Sequence, residues 1–73
     1  MNNAQVAQRL KMLRKQKGVS IFEVAKACDI TPAAVCMYEC GERIPKDVIK
    51  IRLAKYFGET VGFIFFDEKC HET

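Results

Sequence analysis

Apolar and basic residues alternate with a helical period near the start of the chain. Within QVAQRLKMLRKQKG, Val6, Leu10 and Leu13 lie three or four positions apart, and Arg and Lys occupy most positions between them. This spacing predicts an amphipathic first helix. Gly18 is expected to end it, because glycine readily adopts the backbone conformation that follows a helix.

The segment SIFE has the pattern of a second helix start. Ser20 and Glu23 stand at the spacing of a capping box, in which each side chain accepts a hydrogen bond from the backbone amide of the other residue. Val24, Ala25 and Cys28 then follow at the spacing of one helical face. We therefore expect a short helix that begins near Ile21 and turns these three residues inward.

Only the three residues DIT separate this helix from the next one. Thr31 is a favourable N-cap, and Pro32 fits the first helical turn, where no backbone donor is required. The third helix is expected to run to about Cys40 and to end at Gly41. Two short helices joined by about three residues predict a helix-turn-helix.

The last two predicted helices follow a loop, ERIPKD. The fourth, DVIKIRLAKYF, ends at Gly58, and its apolar stripe comprises Ile49, Leu53, Ala54 and Phe57. Thr60 caps a final short helix, VGFIFF, whose aromatic residues also suit a strand, although a lone strand would have nothing to pair with. The chain is thus predicted to be all-α, with a compact five-helix domain over residues 1–66 and a polar tail over residues 67–73.

Composition and length favour one small globular domain. The 73 residues are 49% hydrophobic and 29% charged. No stretch approaches the roughly 18 consecutive apolar residues of a membrane helix, and no signal peptide is visible, so a cytoplasmic protein is expected. Its thiols are then expected to be reduced; they belong to Cys28, Cys36, Cys40 and Cys70.

The net charge of +3 is unevenly distributed. Residues 1–26 carry six basic side chains against Glu23 alone, a charge of +5, whereas the remaining residues hold six basic and eight acidic ones, a charge of −2. A basic first third suits phosphate or an acidic partner, and the alternative is an ordinary solvated helix face.

A family resemblance appears when the central residues are taken together. Counted from Ile21, the apolar positions are Val24, Cys28, Ile30, Val35 and Tyr38, with the small Ala25 where two helices cross. The passage YECGERIP follows an aromatic-Glu-x-Gly-x-x-x-Pro pattern. From about Ala4 to Phe66 the chain resembles the lambda-repressor and Cro type of helix-turn-helix, the XRE-like family. The resemblance implies a sequence-specific DNA-binding domain.

The resemblance also implies which residues meet DNA. The base-facing positions fall on Pro32, Ala33, Cys36 and Met37, with Thr31 and Cys40 near phosphates, and Arg43 and Lys46 are placed to hold the DNA backbone. Direct readout normally uses bidentate Arg, Asn or Gln contacts, which this helix lacks. We therefore expect readout through methyl groups, DNA shape and phosphate contacts.

Four further positions carry expectations from the resemblance. Arg14 and Glu39 stand where family members form a buried ion pair between the first and third helices. Ile21 replaces a glutamine that commonly binds phosphate, although its backbone amide is retained. Asp29 replaces the usual turn glycine, and aspartate tolerates that left-handed conformation at modest cost.

These observations predict a transcriptional regulator, specifically a repressor of the phage or mobile-element kind, that binds double-stranded DNA. Two copies are expected on a pseudo-palindromic operator, paired through Phe63 and Phe66, which lie three residues apart in the last helix. The alternative is a helical protein-binding module, antitoxin-like or an adaptor. Neither a cofactor nor a small-molecule ligand is expected.

The sequence offers little for catalysis or metal binding. There is no nucleophile and base pair or glycine-rich phosphate loop, so an enzyme is not expected. Cys36 and Cys40 share a helical face, and Cys70 and His71 are adjacent in the tail. A metal or redox sensor is one hypothesis for these groups. Incidental thiols without metal are the preferred interpretation, because the CxxC spacing of zinc sites is absent.

Overall fold

Five α-helices form the part of the chain that this computed structural model describes, residues 3–66. They are α1 (Asn3–Lys17), α2 (Ile21–Cys28), α3 (Pro32–Cys40), α4 (Asp47–Phe57) and α5 (Val61–Phe65). The all-α prediction is confirmed, and the segment VGFIFF forms a helix rather than a strand. The predicted tail, residues 67–73, lies outside the described residues.

Hydroxyl side chains start three of the helices where the sequence indicated. Ser20 and Glu23 form the complete capping box, with the Glu23 amide donating to Ser20 Oγ at 3.1 Å and the Ser20 amide donating to Glu23 Oε1 at 2.9 Å. Thr31 Oγ1 accepts from the Ala34 amide at 3.1 Å, and Thr60 caps α5 in the same way. These bonds satisfy amides that have no partner inside a helix.

The core lies where α1 packs against α3 and α5, and where α2 packs against α3 and α4. The predicted inner faces of α1 and α2 are buried, as are Leu53 and Ala54 of the α4 stripe, while Ile49 and Phe57 are only partly buried. Ile64 of α5 has no exposed surface. A fully buried side chain of this size contributes about 1.5–3 kcal/mol, so even the five-residue α5 holds the fold together.

The turn between α2 and α3 depends on a left-handed Asp29. Its φ and ψ are 58° and 47°, and its amide donates back to the carbonyl oxygens of Ala25 and Lys26. The amide of Ile30 also bonds to Ala25 O, at 2.9 Å. Aspartate therefore supports the turn in place of glycine, as predicted.

Gly41 closes α3 at a point where α1 passes close by. Its φ is 79°, and a Cβ there would lie 3.5 Å from the carbonyl oxygen of Asn3 and 3.7 Å from the Cβ of Ala7. Asn3 Nδ2 also donates to Gly41 O at 3.5 Å. The end of α3 is thus held against the beginning of α1.

Within residues 3–66, none of the helices has the length and apolar character needed to cross a membrane.

Candidate nucleic-acid interface

One side of α3 is buried against the rest of the domain, and the other side is accessible to solvent. Val35, Tyr38 and Glu39 are buried and join the helix to the rest of the domain. The outward side, which we call the reading face, carries the residues predicted to meet DNA: Thr31, Pro32, Ala33, Cys36, Met37 and Cys40. Met37 is half-buried, and the others are exposed. The structure therefore brings the predicted α3 residues together on one accessible surface.

The reading face offers few hydrogen-bonding groups. The Thr31 hydroxyl already accepts from the Ala34 amide as the helix cap. What remains are the methyl and methylene groups of Pro32 and Ala33, the thioether of Met37 and two thiols. Such a surface suits apolar contact with thymine methyl groups and close approach of the helix backbone, but not bidentate recognition of a base.

A buried ion pair sets the orientation of α3. Arg14 Nε donates to Glu39 Oε2 at 2.7 Å, and Arg14 Nη2 donates to Glu39 Oε1 at 3.2 Å. The two side chains are 17% and 6% exposed, respectively. The hydrogen bond to Glu39 is the main cause that raises the pKa of Arg14, so the guanidinium stays charged. Arg14 Nη1 also donates to Val19 O at 3.1 Å, which connects α3 to the loop before α2.

The basic first third of the chain is not a uniform phosphate-binding surface. Besides Arg14, Arg9 makes contacts within the domain. Its guanidinium lies over the Phe63 ring, 4.6 Å from the centroid, and donates a hydrogen bond to Phe63 O. Lys17 lies over the Tyr56 ring at 4.9 Å. Half of the six basic side chains in this region, those of Arg9, Arg14 and Lys17, therefore make contacts within the domain.

Three cations lie beside α3 or in the loop that follows it. Arg43 and Lys46, which the resemblance places at the DNA backbone, are exposed after Gly41. Lys11, which the sequence did not single out, is exposed on α1, and its charge lowers the pKa of the Cys40 thiol against the larger effects that raise it. A signal for it existed: Lys11 precedes Arg14 by one helical turn and so shares its side of α1.

Lys50, the next cation along the chain, makes its contacts on α4 and α5. Its ammonium lies 3.7 Å from Asp47 Oδ1 and over the Phe66 ring at 4.8 Å. Lys50 therefore forms part of the surface of α4 and α5 and not of the surface around α3.

The thiols occupy two different environments. Cys28 is buried in the core, and burial raises the pKa of its thiol. Cys36 and Cys40 are exposed on the reading face, and a hydrogen bond between the two side chains is the main cause that raises the pKa of Cys40. A protonated thiol is a weak nucleophile, which argues against rapid oxidation at Cys40. Cys70 and His71 lie outside the described residues.

The two phenylalanines predicted to form one dimer patch have different neighbours. The guanidinium of Arg9 in α1 lies over the Phe63 ring, whereas Phe66 is 56% exposed and lies beside Lys50 of α4. Phe66 follows the last residue of α5, and its φ is −127°. A dimer interface at these two residues stays a prediction.

Comparisons with known proteins agree with this geometry. A family model described as helix-turn-helix, HTH_3, matches residues 10–64. An uncharacterized HTH-type transcriptional regulator, YqaF of Bacillus subtilis strain 168, is 42% identical over 67 residues, which cover 88% of this chain and 83% of that protein.

Solved structures show the same arrangement of helices. The restriction-modification controller protein C.AhdI from Aeromonas hydrophila aligns with a TM-score of 0.81 and 27% identity, over 86% of this chain and 96% of its own. An HTH_3 family transcriptional regulator from Vibrio cholerae aligns with a TM-score of 0.77 and 26% identity, over 90% of this chain and 37% of that longer protein.

We expect Glu39→Gln to destabilise the domain strongly. The change leaves the Arg14 guanidinium in a largely buried position without a counter-charge, and breaking such a pair costs about 3–5 kcal/mol. Because Arg14 retains some exposure to solvent, a loss of about 3 kcal/mol in the free energy of unfolding is expected from urea denaturation.

Asp47→Asn is the matched control. It removes the charge from an ion pair whose carboxylate is 95% exposed and whose atoms are 3.7 Å apart. Exposed pairs of this kind contribute about 0.5 kcal/mol. Equal stability losses in the two variants would show that the buried pair does not brace the helices.

Proposed function

This chain belongs to the helix-turn-helix family of DNA-binding transcriptional regulators, HTH_3, and we propose that it is a repressor that binds a pseudo-palindromic operator as a homodimer. The observation that carries the proposal is the division of α3 into a buried side fixed by Glu39 and an accessible side. Its likeness to the lambda-repressor type favours a regulator of the phage or mobile-element kind.

In the proposed complex α3 lies in the major groove with the reading face toward the bases. The small side chains of Pro32 and Ala33 let the helix backbone approach the base edges closely, and Ala33 and Met37 contact thymine methyl groups. Because the face lacks bidentate donors, much of the specificity comes from DNA shape and from the phosphate contacts that fix the register.

Phosphate contacts supply most of the affinity in this proposal. Lys11 is exposed on α1, which packs against α3, and Arg43 and Lys46 are exposed after the end of α3, so these cations suit phosphates beside the groove-facing surface. The backbone amides at the start of α2, including that of Ile21, are oriented as a helix N-terminus and suit a phosphate oxygen.

A helical protein-binding module remains the second candidate, and one observation favours it. The reading face is apolar and poor in hydrogen-bonding groups, as the centre of a protein interface is. The two candidates differ in salt dependence and in sequence selection, so one experiment separates them.

Selection from random duplex DNA with the 73-residue chain is expected to recover a pseudo-palindrome. Fluorescence anisotropy on that site should then show log K falling with log salt by about 0.9 for each phosphate neutralised. Lys11→Ala should lower this slope by about 0.9, whereas Lys26→Ala, an exposed lysine of α2, should not. No enrichment, together with no binding at low salt, would favour the protein-binding module.

Met37→Gln is expected to change the selected sequence. Glutamine adds a bidentate partner for adenine, and a good pair of this kind discriminates by about 1–3 kcal/mol against the wrong base. The selected motif should gain an adenine in each half-site, while Cys36→Ser, its matched neighbour, should leave the motif nearly intact. An unchanged motif with Met37→Gln would place this side chain away from the bases.

The surface of α4 and α5 is the better candidate for the dimer contact. Val48, Ile51 and Phe66 are exposed there, and Ile51 and Phe66 line the same open groove with Lys50 and Asp47. A surface with both an apolar centre and opposite charges is complementary to a second copy of itself across a two-fold axis. The pairing must set the two copies of α3 about 34 Å apart, the spacing of successive half-sites.

Phe66→Glu is expected to abolish dimerisation in sedimentation experiments and to weaken binding to a full operator more than to a half-site, because a charge enters the proposed apolar contact. Met12→Glu is the matched control, since Met12 is exposed in the groove beside Phe63 between α1 and α5. If Met12→Glu breaks the dimer and Phe66→Glu does not, the interface lies on the α1 side. If the unsubstituted protein stays monomeric on DNA, the proposed homodimer is wrong.

A further inference from the structure

We propose that the reading face recognises the C5-methyl group of pyrimidines, so that 5-methylcytosine is bound where thymine is bound. This inference rests on the proposed DNA-binding function and names the chemical group that the reading face detects. The C5-methyl group of thymine points into the major groove, where α3 lies in the proposed complex. 5-Methylcytosine carries the same methyl group on the same ring atom.

Two side chains of α3 lie farthest from the core. A helix turns by about 100° per residue, so Ala33 and Met37, two positions before and after the buried Val35, each lie about 160° around the axis from it. Ala33 is exposed and Met37 is half-buried. Residues four positions apart are neighbours on a helix surface. The methyl group of Ala33 and the thioether of Met37 therefore form the centre of the reading face.

The beginning of α3 offers few groups for a strong hydrogen bond to a base. Pro32 has no amide hydrogen. The amide of Ala34 donates to Thr31 Oγ1 at 3.1 Å, and the amide of Val35 donates to Thr31 O at 3.2 Å. The two exposed thiols of the reading face are weak donors and weak acceptors. Contact with a base at this face is therefore mainly apolar.

Thymine and cytosine differ at two places in the major groove. Thymine presents the O4 acceptor and the C5-methyl group, whereas cytosine presents an N4 amino donor and no methyl group. A side chain that hydrogen bonds to O4 or N4 would separate the two bases whether or not a methyl group is present. Ala33 and Met37 have no such group, so the methyl group decides the preference.

The size of the effect follows from the apolar area of one methyl group. Burying a group of this size between protein and base is expected to lower the dissociation constant about fourfold. In a homodimer complex with one such pyrimidine in each half-site, the two factors multiply to about sixteenfold. Methylation of cytosines at these positions therefore strengthens binding, which makes the methylation state of the DNA a regulator of this protein.

The test compares duplexes that differ by one methyl group and keep the same base pair. The 73-residue chain first selects a sequence from random duplex DNA. Fluorescence anisotropy then compares thymine with uracil, one selected position at a time, and cytosine with 5-methylcytosine at the same positions opposite guanine. At the position that meets the reading face, loss of the methyl group should weaken binding about fourfold in both pairs.

Met37→Ala tests whether this side chain makes the contact. The loss of affinity on replacing thymine by uracil should largely disappear in this variant, because the thioether no longer covers the methyl group. Met12→Ala is the matched control, since Met12 is exposed in the groove between α1 and α5. It should retain the full effect of the methyl group. An equal effect in Met37→Ala and Met12→Ala overturns the assignment to Met37.

The two pairs of duplexes separate the remaining outcomes. A methyl effect in the thymine and uracil pair alone overturns the inference, because the face then also recognises the O4 acceptor. Binding without a methyl effect in either pair overturns the inference and leaves the proposed DNA binding intact. If the protein binds none of the duplexes at low salt, the proposed function fails and this inference fails with it.

Discussion

The Arg14–Glu39 ion pair is the constraint on which the orientation of α3 depends. It is formed by two hydrogen bonds and lies largely out of solvent, and the same guanidinium also holds Val19 O in the loop before α2. Removing two charges from water is costly, and the cost is offset only when the geometry is good and other polar atoms are satisfied. The pair therefore permits one rotation of α3 about its axis, and that rotation directs the reading face outward.

The elements that the sequence predicted well are those determined locally. Ser20, Thr31 and Thr60 cap helices through residues three positions away, and Asp29 completes its turn with the preceding turn of helix. These interactions join residues that are close in the sequence, so they can be predicted without the rest of the fold. The Arg14–Glu39 contact spans 25 residues, and only the family resemblance indicated it.

What the sequence could not reveal depends on packing between distant helices. The position of Arg9 over Phe63 follows from how α1 lies against α5. Net charge does not distinguish a lysine that faces a partner from an arginine that braces a core. The different neighbours of Phe63 and Phe66, Arg9 of α1 and Lys50 of α4, likewise depend on how these helices pack.

The division of α3 into a buried and an accessible side has an evolutionary consequence. Val35, Tyr38 and Glu39 carry its folding duties, whereas Ala33 and Cys36 carry none. In the proposed complex, DNA preference is therefore free to drift without loss of the fold, because mutations at the accessible positions are nearly neutral for stability. In the proposed complex, a surface of such small side chains is a starting point from which a single substitution can add a base contact.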